Sequence, residues 1–182
     1  MMQPDEVTQV LAEADCLYTQ AQVERQLDRM AKEITARFAK TNPIFLCVMT
    51  GAMVPAGHLL TRLNFPLELD YIHATRYANT TTGGELAWET EATISFKDRN
   101  IIIFDDILDE GVTLAAIVDY CNQLGACEVT TAVLVEKLHD RKHGIQADYV
   151  GMQIEDRYVF GYGMDYKGYL RNIPGIYAVK GL

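Results

Sequence analysis

The segment Ile101-Ile102-Ile103-Phe104-Asp105-Asp106-Ile107-Leu108-Asp109-Glu110-Gly111-Val112-Thr113-Leu114 constrains the chain more than any other. Its four leading apolar residues read as a strand buried on both faces, as in a parallel sheet covered by helices. They deliver Asp105 and Asp106 to the strand end, and Asp109 follows before Gly111 and Thr113 open a helix. A helix start offers unpaired amides and the positive end of its dipole, so it attracts a phosphate. Gly111 lets the backbone approach closely, and the Thr113 hydroxyl adds a donor. Two adjacent carboxylates beside such a cradle suit neighbouring hydroxyls, such as those of a ribose, whose hydrogen bonds they accept strongly. A surface turn in which Asp109 caps the helix is the simpler reading. It leaves unexplained why three carboxylates crowd one strand end, where they repel one another without a ligand or cation. The chain contains neither G-x-x-x-x-G-K-[ST] nor G-x-G-x-x-G, which argues against a P-loop nucleotidase and a dinucleotide-binding fold.

The remainder of the chain supplies a frame for this segment. Residues 5–40 are helical in character, with Leu27, Met30, Ile34 and Phe38 forming one apolar stripe before Asn42-Pro43 closes the helix. Ile44 to Met49 reads as a buried strand running into Thr50-Gly51, and a helix is expected over Pro55 to Leu63. Strands are expected at Leu67–Tyr77 and Glu85–Phe96, on either side of a polar, glycine-ended loop. A helix from about Thr113 to Leu124 stops at Gly125, and Val129 to Val135 is another buried strand. Shorter apolar pieces follow at Tyr149-Val150-Gly151 and Ile176-Tyr177-Ala178-Val179. Apolar strands alternating with helices predict an α/β domain with a mainly parallel sheet. Such sheets bind ligands at the carboxyl ends of their strands, which directs attention to the loops after Met49, Asp105 and Val135.

With 182 residues the chain has the length of one domain, and its net charge of -9 argues against a nucleic-acid or anionic-membrane partner. A small polyanion can still be held locally by loop amides and a divalent metal. The four cysteines form no C-x-x-C pair and read as free thiols in a reducing compartment. Met1-Met2-Gln3-Pro4-Asp5-Glu6 lacks the pattern of a signal peptide, and no apolar run reaches membrane length, so a cytoplasmic location is expected. His139 and His143 have i,i+4 spacing, but Asp140-Arg141-Lys142 between them reads as a solvated loop. His58 and His73 read as structural.

The acidic strand-loop-helix segment resembles the phosphoribosyl-pyrophosphate signature of type I phosphoribosyltransferases. Later motifs are similar to those of the 6-oxopurine branch, the hypoxanthine-guanine phosphoribosyltransferases. They are Val135-Glu136-Lys137, Ala147-Asp148-Tyr149-Val150-Gly151, Asp156-Arg157-Tyr158-Val159-Phe160-Gly161-Tyr162-Gly163-Met164-Asp165-Tyr166 and Tyr169-Leu170-Arg171. The resemblance spans roughly residues 44–180. It implies an α/β type I phosphoribosyltransferase fold, a mainly parallel twisted sheet flanked by helices, in a single domain over 1–182. The core would cover about 35–150, with a small hood lobe from about 1–34 and 151–182.

The implied reaction moves the 5-phosphoribosyl group of phosphoribosyl pyrophosphate to N9 of hypoxanthine or guanine, with Mg2+ as cofactor and pyrophosphate released. On the family's pattern Asp105 and Asp106 hold the ribose diol or its metal, and Asp109 faces purine N7 as general base. The backbone from Asp109 through Glu110, Gly111 and Val112 to Thr113 holds the 5'-phosphate. Glu110 stands where a small hydroxyl residue is more usual, and Val112 where a polar one is; Glu110 is therefore expected to turn outward and contribute its amide alone. Lys137 would donate to the purine 6-oxo group, which disfavours adenine and leaves xanthine open. Tyr158 would stack on the base, and the Val159 carbonyl would read the exocyclic amine of guanine. Asp165 would bind a second metal or its waters, while Arg141 and Arg171 help hold pyrophosphate. Met49-Thr50-Gly51-Ala52 corresponds to the pyrophosphate loop, whose entering peptide can be cis in this family; Thr50 replaces the more usual Lys or Arg, and Arg76 or Arg141 would compensate. Arg76 to Gly84 takes the place of a mobile lid with Tyr77 descending on the site and Trp88 packing on its hairpin. The family also implies a homodimer or homotetramer. A xanthine-preferring enzyme, or a non-catalytic nucleotide sensor on the same fold, is the alternative; Asp109 together with Lys137 favours catalysis.

Overall fold

The computed structural model describes residues 3–76, 86–142 and 144–181. From the N-terminus the elements are α1 (Pro4–Glu13), β1 (Asp15–Tyr18), α2 (Gln20–Phe38), β2 (Ile44–Met49), α3 (Met53–Leu60), β3 (Glu68–Arg76) and β4 (Leu86–Thr90). They continue as β5 (Asn100–Leu108), α4 (Val112–Gln123), β6 (Glu128–Leu138), β7 (Tyr149–Glu155), β8 (Val159–Phe160) and β9 (Ile176–Ala178).

The main sheet has the order β4-β3-β2-β5-β6-β7; only β4 runs antiparallel to its neighbour. Chain order runs outward from β2 on one side and from β5 on the other. The switch point therefore lies between the carboxyl ends of β2 and β5, where open sheets of this kind form their ligand crevice.

Both central strands are buried on two faces by strict alternation. Phe45, Cys47, Ile102, Phe104, Ala132 and Leu134 pack with α2 and α3 on one face. Ile44, Leu46, Val48, Ile101, Ile103 and Val133 pack with Leu114, Ile117 and Cys121 of α4 on the other. Truncating one of the fully buried rings, such as Phe104, to Ala costs about 3–5 kcal/mol, a large share of a domain's net stability. Cys47 and Cys121 are buried, Cys16 and Cys127 are exposed, and all four thiols are free.

A second, three-stranded antiparallel sheet has the order β1-β9-β8 and joins the two ends of the chain. Val7 of α1 packs there with Phe160, Tyr166, Leu170 and Val179 in a separate small core.

The structure corrects several boundaries: α3 runs over Met53–Leu60 rather than Pro55–Leu63, and β6 runs over Glu128–Leu138 rather than Val129–Val135, which puts Lys137 inside the strand. Residues 5–40 are two helices separated by β1, because Ala14 is extended and Asp15–Tyr18 pairs with β9. Thr19 and Gln22 then restart the helix as a reciprocal capping box. The strand expected over Glu85–Phe96 ends at Thr90, since the amides of Thr93 and Ile94 donate to the buried Asp70 carboxylate at 2.6 and 2.8 Å. β5 outlasts its apolar run, because Ile107 and Leu108 continue to pair with Val135 and Glu136.

Candidate active site

Three segments meet at the carboxyl edge of β2, β5 and β6. The first leaves β2 through Thr50 and Gly51, and the Met49–Thr50 peptide is cis. The second is the end of β5 with the turn into α4. Gly111 caps that helix with φ of 87°, and a Cβ there would lie 2.4 Å from Ile145 Cγ2, so conformation and space both call for glycine. Gly111, Thr113 and Leu114 at the start of α4 border the same space. The third is the end of β6 with Lys137 and His139.

A cavity of about 520 Å³ lies between the first two segments. Thr50, Gly51, Asp105, Asp106, Gly111 and Thr113 are in its wall, as are Asp109, Glu110, Asp165 and Arg171. A smaller cavity of about 190 Å³ adjoins it, walled by Lys137, Tyr158, Val159 and Met164. The two share Asp106, Ile107, Asp109 and Asp165, so these residues stand where the spaces meet.

Burial pushes Asp105 well above the ordinary carboxylate range, and the neighbouring Asp106 charge adds to it. Burial raises Asp106 as well, offset in part by its contact with Asp105 and by the Arg171 charge. Neighbouring carboxylates, Asp105 buried and Asp106 half-buried, that disfavour each other's charge are a donor set suited to a divalent cation with oxygen ligands. Asp165 is engaged within the protein: Oδ1 meets Arg171 at 2.7 Å, and Oδ2 accepts the Gly168 amide at 2.6 Å. Arg171 also donates to the Gly163 carbonyl at 2.7 Å.

Asp109 has a donor on each oxygen. Lys137 Nζ lies 2.9 Å from Oδ2 and His139 Nε2 lies 2.7 Å from Oδ1. Burial pulls Asp109 upward, but the hydrogen bonds from Lys137 and His139 and the Lys137 charge outweigh it and hold the carboxyl below its ordinary range. Lys137 also stands 3.7 Å from Asp156, which pairs with Arg141 at 2.7 Å. The Arg141 charge is reinforced first by Asp156 and at longer range by Asp109 and Glu110. Tyr158 is 41% exposed and faces Tyr166 edge-on at 5.5 Å, so it is not a core residue. Val159 is buried and pairs with Ala178. Glu110 and Val112 are half-buried.

Tyr77 and the loop from 77 to 85 lie outside the described residues, as do His143 and the side chains of Arg76 and Trp88. Arg141 is not among the described residues of the larger cavity wall. Among the described residues no helix is long and apolar enough to cross a membrane.

His139 departs from the solvated loop expected of it: its side chain is 5% exposed and touches Asp109. It lies just beyond the end of β6, and its burial comes from the contact with Asp109, a long-range partner that no local pattern around residue 139 reveals. Asp156, the other partner of Lys137, comes from the turn after β7, and no spacing rule ties it to β6.

The phosphoribosyl transferase domain family matches residues 13–167. The hypoxanthine-guanine-xanthine phosphoribosyltransferase of Tritrichomonas foetus is 30% identical over 165 residues, covering 90% of each chain. The hypoxanthine-guanine phosphoribosyltransferase of Bacillus subtilis is 30% identical over 165 residues, covering 90% of this chain and 92% of that one. The solved structure of such an enzyme from Bacillus anthracis superposes with a TM-score of 0.86 at 29% identity, over 91% of this chain and 98% of the other. A six-stranded sheet with its cavity at the β2/β5 switch point, and relatives of this kind over nine-tenths of its length, place the chain in the phosphoribosyltransferase family, in its hypoxanthine-guanine group.

Proposed function

We propose that this chain transfers the 5-phosphoribosyl group of phosphoribosyl pyrophosphate to N9 of hypoxanthine or guanine, giving IMP or GMP and pyrophosphate in purine salvage. The observation that carries the reading is the junction of the two cavities at Asp109, with a phosphate-type cradle on one side and Lys137 on the other.

The larger cavity takes the sugar and its phosphates. The Asp109-to-Thr113 backbone and the Thr113 hydroxyl hold the 5'-phosphate, while Thr50, Gly51 and Arg171 face the pyrophosphate. Asp105, Asp106 and Asp165 are the residues that would hold Mg2+, directly or through water. Bound there, Mg2+ supplies charge neutralisation for the leaving pyrophosphate. The smaller cavity takes the base. Tyr158 covers its face, the Val159 carbonyl meets its amine edge, and Lys137 donates to its 6-oxo group. Asp109 accepts the proton of the purine nitrogen facing it as the bond from C1 to N9 forms.

A proper hood, drawn from about 1–34 and 151–182, completes the single domain on this reading. Arg141 braces the loop beside Asp156. The family pattern adds a homodimer or homotetramer working in the cytoplasm.

The test is nucleotide formation from phosphoribosyl pyrophosphate and Mg2+ with each of hypoxanthine, guanine, xanthine and adenine. Turnover of hypoxanthine and guanine is expected, with adenine inert. No product with any base would leave the nucleotide-sensor alternative, and xanthine turned over fastest would shift the specificity.

A further inference from the structure

We propose that His139 is a positioning residue for Asp109: it fixes one carboxylate oxygen so that the other is presented to the purine. The inference rests on the reading of Asp109 given above and adds the residue that aims it.

The ring's two nitrogens have different partners. Nδ1 lies 3.1 Å from the backbone nitrogen of Arg141, whose N–H donates to it. A neutral imidazole that accepts at Nδ1 carries its proton on Nε2. That proton points along the 2.7 Å contact to Asp109 Oδ1. The main chain at Arg141 thus selects the tautomer, and the 5% exposure of the side chain keeps the ring in place.

Lys137 cannot do the same work throughout the reaction. Its ammonium holds Oδ2, but it sits on a flexible four-carbon stem and is the donor assigned to the 6-oxo group. Once a purine draws it away, Oδ2 is released to the base while Oδ1 remains bonded to His139. A neutral donor orients the carboxylate without cancelling its charge, so Asp109 keeps its capacity to accept. In the transfer step the purine proton passes to Oδ2 and the N–H electron pair stays on the ring nitrogen. His139 keeps its own proton throughout.

Ligand atoms of Asp109, His139 and Asp156 lie within 4.8 Å of one another, a spacing that also suits a metal ion. Lys137 contacts two of the three, at 2.9 and 3.7 Å, and Arg141 holds Asp156. Protein cations therefore stand where such an ion would be needed, and the arrangement reads as an aimed carboxylate.

The experiment compares His139→Ala, His139→Asn and His139→Gln with the unmodified protein in steady-state kinetics with hypoxanthine, Mg2+ and phosphoribosyl pyrophosphate. The Gln amide reaches the Nε2 position, and the Asn amide does not. His139→Ala and His139→Asn are expected to lower kcat roughly tenfold, the order for losing one hydrogen bond to a charged group, with KM for phosphoribosyl pyrophosphate unchanged. His139→Gln should recover most of kcat. A purely structural role would lower the thermal midpoint of all three alike and give no such split. Nitrogen-15 NMR of the unmodified protein should show the Nε2–H tautomer of His139. An Nδ1–H tautomer, a His139→Ala kcat equal to that of the unmodified protein, or a His139→Gln as slow as His139→Ala overturns the proposal while leaving the parent reading intact. An unmodified protein inert with every base would instead remove the parent reading and this one with it.

Discussion

Gly51 and Asp106 touch across the ends of the two central strands: a β-carbon on Gly51 would lie 2.0 Å from Asp106 Oδ2 and 2.4 Å from its Cγ. Gly163 stands behind Gly51 in the same way, since a Cβ there would come within 2.1 Å of the Gly51 carbonyl oxygen. Three chain segments are thus stacked without side-chain spacers, and the Asp106 carboxylate is at the front of the stack. Gly51→Ala must push that short, strand-anchored side chain aside. Turnover is expected to fall roughly ten- to a hundredfold, the cost of ångström-scale misplacement in a site. Steady-state kinetics on the folded variant checks this, and activity within twofold of the unmodified protein would show that Asp106 has room to move.

Arg171 ties this stack to Asp165 by donating to the Gly163 carbonyl and the Asp165 carboxylate, each at 2.7 Å. Arg171→Lys keeps a positive charge and loses the two-pronged geometry. Its KM for phosphoribosyl pyrophosphate should rise roughly tenfold, with a smaller change in kcat. Equal KM values would show that only the charge matters.

Lys137→Met removes the cation between Asp109 and Asp156. A donor to an acceptor on the substrate discriminates strongly, so kcat/KM for hypoxanthine should fall by roughly a hundredfold or more. Binding of phosphoribosyl pyrophosphate, measured by calorimetry, should stay within a fewfold. Parallel loss of both would mean that Lys137 serves the sugar-phosphate side.

Glu24 on α2 accepts from Tyr162 and pairs with Arg62 and with His58, the last at 3.0 Å, bracing the Tyr162–Gly163 turn from behind. Burial raises its carboxyl, but Tyr162, Arg62 and His58 outweigh burial and hold it below the ordinary range. The folded state therefore releases this proton more readily than the unfolded chain. The resulting stability is fully present above the unfolded value of about 4.3 and is lost as pH falls through the lower folded value. Glu24→Gln should accordingly melt below the unmodified protein at neutral pH, and the gap should close on acidification below roughly pH 4.3. A gap that is constant with pH would contradict this.

Where the signal was local, the sequence was sufficient. The Ile44–Met49 strand has the expected bounds because an apolar run buried on both faces has few alternatives. Asp105, Asp106 and Asp109 could be placed at a sheet edge because four apolar residues lead directly to them. β1 was hidden inside an apparent helix, since its four residues acquire their pairing from β9, far along the chain. Asp70 ends β4 by a contact of the same long-range kind. His139 was obscured differently: its charged neighbours suggested solvent, whereas it lies just beyond the end of β6 and is buried against Asp109 of the β5–α4 turn. The contact of Asp156 with Lys137 depends on β6 and β7 lying side by side.

The central claim is that Asp109 is the group that receives the purine's proton. Asp109→Asn keeps the shape and removes the basic oxygen, so it tests the claim most directly when kcat with hypoxanthine is measured beside the dissociation constant for phosphoribosyl pyrophosphate in Mg2+. The account predicts a kcat lower by roughly a hundred- to ten-thousandfold, with the dissociation constant changed only a fewfold. A kcat near that of the unmodified protein would contradict it.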